Sequence, residues 1–246
     1  AIPMVLLAIL LGASDTGGKQ TSDAATGNKE KTGGGTKTVI GLLLAAMLFG
    51  GIYYSLIITM LPSRLGEGAA KASFLREFVG EGYLPFLVFF IGGLGQVLAG
   101  YWMENREGRG LYVVLLMGTV PLIYLTGALD GMRLLIAASA MAFFMFAVQP
   151  VENTLLARYT APGMRGRIYG LKFVLTFGFG MGSGTALSGW IEKGGLADFL
   201  RNAATPFSGL SGVFTAAACF AAAALLMAAL ARALKIGGAQ DENGQS

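Results

Sequence analysis

The chain has 246 residues, 54% of them hydrophobic and 13% charged, where a soluble domain carries about 25% charged residues. So little charge cannot cover a water-soluble globule of this size. With no histidine and one cysteine, a His-ligated zinc site, a Ser-His-Asp triad, a haem-His site and an intrachain disulfide are all excluded.

The remaining charge is segregated. Six windows contain none: Thr38–Ser63, Gly82–Met103, Gly110–Leu129, Leu134–Val151, Phe173–Ile191 and Asn202–Ala231. Each approaches or exceeds the roughly 18 uncharged, mostly apolar residues that mark a membrane span. The expected fold class is all-α: a polytopic membrane protein built as a six-helix transmembrane bundle. The net charge of +4 sits in short connections, where it sets orientation, and is no nucleic-acid signal.

In chain order, the apolar run 1–14 comes first. Its 14 residues, at about 1.5 Å each, fall short of a hydrocarbon core about 30 Å thick. No basic n-region precedes it, as a signal peptide requires. It reads as the end of a truncated transmembrane helix. Residues 15–37 are rich in Gly, Thr, Ser, Lys and Asp with no aromatic residue, and read as a flexible cytoplasmic linker. Helices are expected near 38–61, 83–103, 110–128, 133–157, 168–190 and 208–234. Together they form a bundle over 38–236, with a cytoplasmic tail at 237–246. Many secondary transporters are built from two inverted triplets of helices, but no clear sequence repeat marks one here.

Lys and Arg divide unequally between the two ends of these helices. One side holds twelve, including Lys37, Arg106, Arg109, Arg158, Lys172 and Arg232; the other holds six, including Arg64, Lys71 and Arg133. The positive-inside rule places the richer side, with the C-terminus, in the cytoplasm.

Polar residues within the spans are the candidates for function. Gly50-Gly51-Ile52-Tyr53-Tyr54-Ser55 lies near the middle of the first helix. Its glycines permit close packing or bending, and Tyr53 and Tyr54 offer ring faces with hydroxyls, suited either to a substrate cavity or to interhelical packing. Gln96, mid-span on the next helix, is a weaker candidate of the same kind. Gln149, Glu152 and Asn153 share one helix face at i, i+3, i+4 spacing. Glu152 is the one acid near the membrane interior, where ionisable groups are costly and face a cavity or a partner. Two readings stand for it, a proton or cation site and an ion pair with Arg158 or Lys172. Gly178, Gly180, Gly182 and Gly184 contain two overlapping G-x-x-x-G spacings, which let helix backbones approach closely. No metal or cofactor site is expected: the glycine ladder follows no strand, and the linker lysines miss the phosphate-loop pattern.

The loop Gly95–Gly110, GQVLAGYWMENREGRG, joins the second and third helices. Its arginines are placed to bond acids and helix C-terminal carbonyls, although an ordinary positive-inside loop has the same content. The loop resembles the signature G-x-x-x-D-R-x-G-R-R/K of the major facilitator superfamily. Asn105-Arg106-Glu107-Gly108-Arg109 aligns with D-R-x-G-R, with Asn105 in place of the acid, Glu104 one position ahead, and Gly100 one residue early. The segment Gln149–Lys172 is similar to that superfamily's connection between helices 10 and 11.

The resemblance implies the C-terminal half of a twelve-helix transporter: the end of helix 6, the central linker, and helices 7 to 12. It implies a latch at Gly100, Glu104, Arg106, Gly108 and Arg109, and a cavity lined from helices 7 and 10. It further implies movement of a small-molecule substrate by alternating access in a cell membrane, driven by an ion gradient with H+ as the expected ion. Import and export remain open. The implied partners are the lipid bilayer and the missing N-terminal six-helix half. A membrane receptor or sensor is the alternative. An enzyme is not expected, since the spans hold neither histidine nor clustered acids.

Overall fold

The computed structural model describes residues 34–69, 82–103, 108–195 and 209–234, and all of the regular structure in them is helical. Helix α1 runs Gly34–Ala69, α2 Tyr83–Met103, α3 Gly108–Ala128 and α4 Gly131–Tyr159. A 3-10 turn at Pro162–Met164 leads into α5, Arg165–Phe173, then a π-helix, Val174–Met181, and α6, Gly182–Glu192. Helix α7 is Gly209–Ala233. Five of these, α1 to α4 and α7, are long and apolar enough to cross a membrane. The run 1–14, residues 15–33 of the expected linker and the tail 237–246 lie outside the described residues.

The structure differs from the sequence expectation in two places. First, α1 is longer than its uncharged window at both ends. It takes in Gly34–Lys37, assigned from sequence to the linker, and continues past Ser63 because Arg64 is held: its guanidinium meets Asp130 Oδ1 at 3.1 Å and also donates to the Leu129 carbonyl. Gly131, at φ 62°, makes the two-residue reversal between α3 and α4 that brings those acceptors to it.

Second, the helix expected at 168–190 is not a uniform α-helix. It begins at Arg165, and its eight central residues are π-helical. The junction residues keep right-handed helical angles, so the axis continues through all three segments. Met181, the last π residue, has a carbonyl that accepts from both Ser55 (2.9 Å) and Thr185 (3.0 Å). Ser183 donates to the carbonyls of Phe179 and Gly180. Hydroxyl donors thus serve carbonyls around the change of helix type.

Helices α1, α3, α4 and α7 form the centre of the bundle. Helix α2 packs on α4, and the α5–π–α6 run packs on α1. Exchanging α1 with α4, α2 with the α5–π–α6 run, and α3 with α7 maps the main contacts onto themselves. Thus α1 against the π-helix corresponds to α4 against α2, and α3 against α4 corresponds to α7 against α1.

Apolar side chains cover the outside as well as the core. Phe86, Val97 and Tyr101 of α2 are 68%, 70% and 69% exposed, an apolar surface that fits a lipid or protein surrounding rather than water. Cys219, in the Ala-rich stretch of α7, is also exposed.

Candidate functional site

The central observation is a cavity of about 200 Å³, open on one side, between α1, α4 and the α5–π run. Helix α1 contributes Met47, Gly50, Gly51, Tyr53 and Tyr54. Helix α4 contributes Met145, Val148, Gln149, Glu152 and Asn153. The third wall is Lys172 and Phe173 at the end of α5, with Thr176, Phe177 and Met181 of the π-helix. Five of the six sequence-derived cavity candidates therefore line one space: Tyr53, Tyr54, Gln149, Glu152 and Asn153. The sixth, Gln96, does not. It lies on the exposed face of α2 beside Val97 and Leu98, because α2 turns its buried glycines Gly92 and Gly95 toward α4.

The 3.6-residue period of α4 explains why the polar stripe faces inward. Within that helix Pro150 lacks the N–H that would serve the Phe146 carbonyl four residues back. Tyr54 packs edge-on against Phe146, ring centroids 5.9 Å apart, and so ties α1 to α4 beside the cavity.

Glu152 is buried and fully engaged. Oε1 accepts a hydrogen bond from the Tyr112 hydroxyl at 3.0 Å, and Oε2 lies 3.4 Å from Lys172 Nζ. Lys172 also donates to Asn153 Oδ1 at 2.5 Å. The Tyr169 hydroxyl donates to the Asn153 carbonyl at 2.7 Å, fixing α5 against α4. Of the two bases proposed from sequence as partners for Glu152, Lys172 makes the ion pair. Arg158 donates to the Met103 carbonyl at 2.9 Å, across to the end of α2. A buried ion pair is retained only when its members are hydrogen-bonded as well, as here.

Two features lie beyond the sequence reading. Tyr112 is 1% exposed on α3 and nothing in its local sequence sets it apart from the apolar residues around it. Arg64, counted as an outer-loop cation, is buried at the end of α1.

The loop candidates divide. Glu104 and Arg106 lie outside the described residues. Gly100 is in α2 with open space where a Cβ would stand, and Gly108 begins α3 against Met103 and Leu155. Arg109 donates to the Leu234 carbonyl at 3.3 Å and lies 5.7 Å from the Tyr159 ring centroid. Arg109 and Arg158 thus tie the ends of α2, α3, α4 and α7 together within this bundle.

No family model and no curated protein matches the chain. Among solved structures, the fold is similar to a bacterial homologue of the human lysosomal transporter Spinster, in an inward-facing and unoccupied conformation. The TM-score is 0.64 at 13% identity, over 87% of this chain and 46% of that one. This chain therefore spans about half the length of the transporter it matches. The chain is a multi-pass membrane protein, and its described residues share the fold of about half of that transporter.

Proposed function

We propose that this chain is half of a secondary transporter that moves a small solute across a cell membrane by alternating access. The observation that supports it best is the open cavity, with a buried carboxylate and ammonium in its wall, on a fold shared with a transporter. Membrane interiors penalise such charges, and their placement beside a cavity points to use in transport. The reading includes a second six-helix half facing this one, with the solute held between the halves near the midplane.

In this proposal Glu152 carries the coupling proton. Protonation removes the carboxylate charge and breaks the ion pair with Lys172, so proton and solute occupancy bias the same equilibrium. Tyr53, Tyr54, Gln149 and Asn153 contact the solute. The Arg109 and Arg158 end of the bundle is cytoplasmic, as the Lys and Arg count implies. Arg106 acts with Arg109 as a latch on one conformation.

The experiment is reconstitution of the full-length protein in liposomes containing a trapped pH-sensitive dye. A panel of organic anions, cations and sugars is added outside. Alkalinisation or acidification that depends on the added compound, and is absent in Glu152→Gln, supports proton-coupled transport. Compound movement in Glu152→Gln with unchanged proton flux removes Glu152 from the coupling step.

A further inference from the structure

The wall around Glu152 and Lys172 also bears on the charge of what enters. Glu152 is 7% exposed and Lys172 6%, but the two are not equivalent toward the cavity. Both carboxylate oxygens already have partners, Oε1 the Tyr112 hydroxyl and Oε2 the Lys172 ammonium. The backbone of α1 closes over the carboxylate as well: a Cβ on Gly50 would stand 3.6 Å from Oε1. Lys172, by contrast, has three donors. One serves Asn153 and one is directed at Glu152, at 3.4 Å a long contact, which leaves a third. Asn153 is exposed on the cavity side and its amide NH2 supplies further donors beside it.

An entering cation would have to take Glu152 from two donors and sit against an ammonium. An entering anion gains the third lysine donor and the Asn153 amide, and stands in for Glu152 once that group is protonated. Tyr54, Phe173 and Phe177 line the same cavity, and their rings suit an apolar body.

We propose that the cavity binds an organic anion with an apolar body, its carboxylate or phosphate head replacing Glu152 as the partner of Lys172. This rests on the transport reading for its biological use, but not for the binding itself. The exchange is balanced: Glu152 gains a proton, its ion pair opens, and the ammonium keeps one counter-anion throughout. For a singly charged head, proton and anion therefore bind together and the cavity gains no net charge; a phosphate head enters on the same terms as its monoanion. The other titratable groups facing the pair are Tyr53 and Tyr54 from α1, Tyr112 from α3 and Tyr169 from α5.

The test is equilibrium binding to the full-length protein in nanodiscs of neutral phosphatidylcholine. Phenylacetate and phenyl phosphate probe the anion, and 2-phenylethylamine offers the same ring with the opposite charge. Binding of either anion that strengthens as pH falls, with none of the amine, is expected. Lys172→Gln should weaken anion binding by about tenfold or more, and Lys172→Arg should retain it. Glu152→Gln should bind the anion more tightly and lose the pH dependence. Because Lys172→Gln leaves a buried carboxylate unpaired, the Glu152→Gln/Lys172→Gln double variant serves as the folded control. It too should fail to bind the anion.

Preferential binding of the amine, binding of neither anion, or anion binding that survives in the double variant overturns the proposal. Replacing the neutral lipid with phosphatidylglycerol separates two sources of the anion. Competition by that lipid against phenylacetate identifies a headgroup as the occupant, and its absence identifies a free organic acid; either retains the anion class. If the anion binds as expected while Glu152→Gln leaves proton flux unchanged, the coupling role fails and the anion site stands.

Discussion

Gly51 on α1 and Gly180 in the π-helix meet so closely that a Cβ on Gly180 would lie 3.0 Å from the Gly51 Cα. One turn along, a Cβ on Gly184 would lie 2.8 Å from both the Ile52 carbonyl oxygen and the Ser55 Cβ. Gly178 and Gly182 have open space at the same position. Only one of the two overlapping G-x-x-x-G spacings is therefore the contact with α1. Gly180→Ala and Gly184→Ala should each cost about 1–3 kcal/mol by overpacking, read as a lowered melting temperature in detergent. Gly178→Ala and Gly182→Ala should change stability by no more than about 0.5 kcal/mol.

Thr119, Thr126, Thr154, Thr185 and Thr215 each donate their hydroxyl to the carbonyl four residues back. Thr176, inside the π-helix, has a buried hydroxyl with no partner among the described residues. An unmade hydrogen bond of this kind costs about 1–3 kcal/mol. Thr176→Val, which keeps the shape, should raise thermal stability by roughly 1 kcal/mol on that account. Thr119→Val, which removes a satisfied hydroxyl, should not. Equal losses in the two variants would contradict the assignment.

At the far end of the bundle, Arg64 and Asp130 join α1 to the α3–α4 turn at 3.1 Å, with the arginine buried and the aspartate 39% exposed. Removing the acid leaves a buried guanidinium short of its counter-charge. Asp130→Ala should cost about 1–3 kcal/mol, discounted from a fully buried pair because the carboxylate reaches solvent. The Arg64→Ala/Asp130→Ala double variant should lose less than the sum of the singles. Strict additivity in that cycle would show the pair to be uncoupled.

If Arg106 stabilises one conformation, Arg106→Ala in the full-length protein should shift the balance by about 1–3 kcal/mol. Transport should fall while expression and membrane insertion stay normal. Unchanged transport would reduce the loop to an orientation signal. The same protein tests sidedness: in a Cys219→Ala background, impermeant thiol reagent on intact cells should label Lys71→Cys and not Arg109→Cys.

Five membrane-length helices and the shared face of Gln149, Glu152 and Asn153 were legible because each depends on local pattern. Uncharged windows reveal spans, and the i, i+3, i+4 spacing of Gln149, Glu152 and Asn153 reveals a face. What was missed depends on which helices touch. Gln96 is as polar as Gln149, but α2 meets only α4 closely and turns Gln96 outward. Tyr112 acquires its role from a residue forty positions away.

The most direct test of alternating access uses the cavity itself. Gln149→Cys in the Cys219→Ala background places a thiol in the cavity wall of the full-length protein. An impermeant thiol reagent is applied to right-side-out and inside-out membrane vesicles, with and without a pH gradient. The account predicts labelling from both sides, with rates at the two faces that change in opposite directions when the gradient is imposed. Labelling from one side only under every condition would contradict it, and would fit a receptor or sensor.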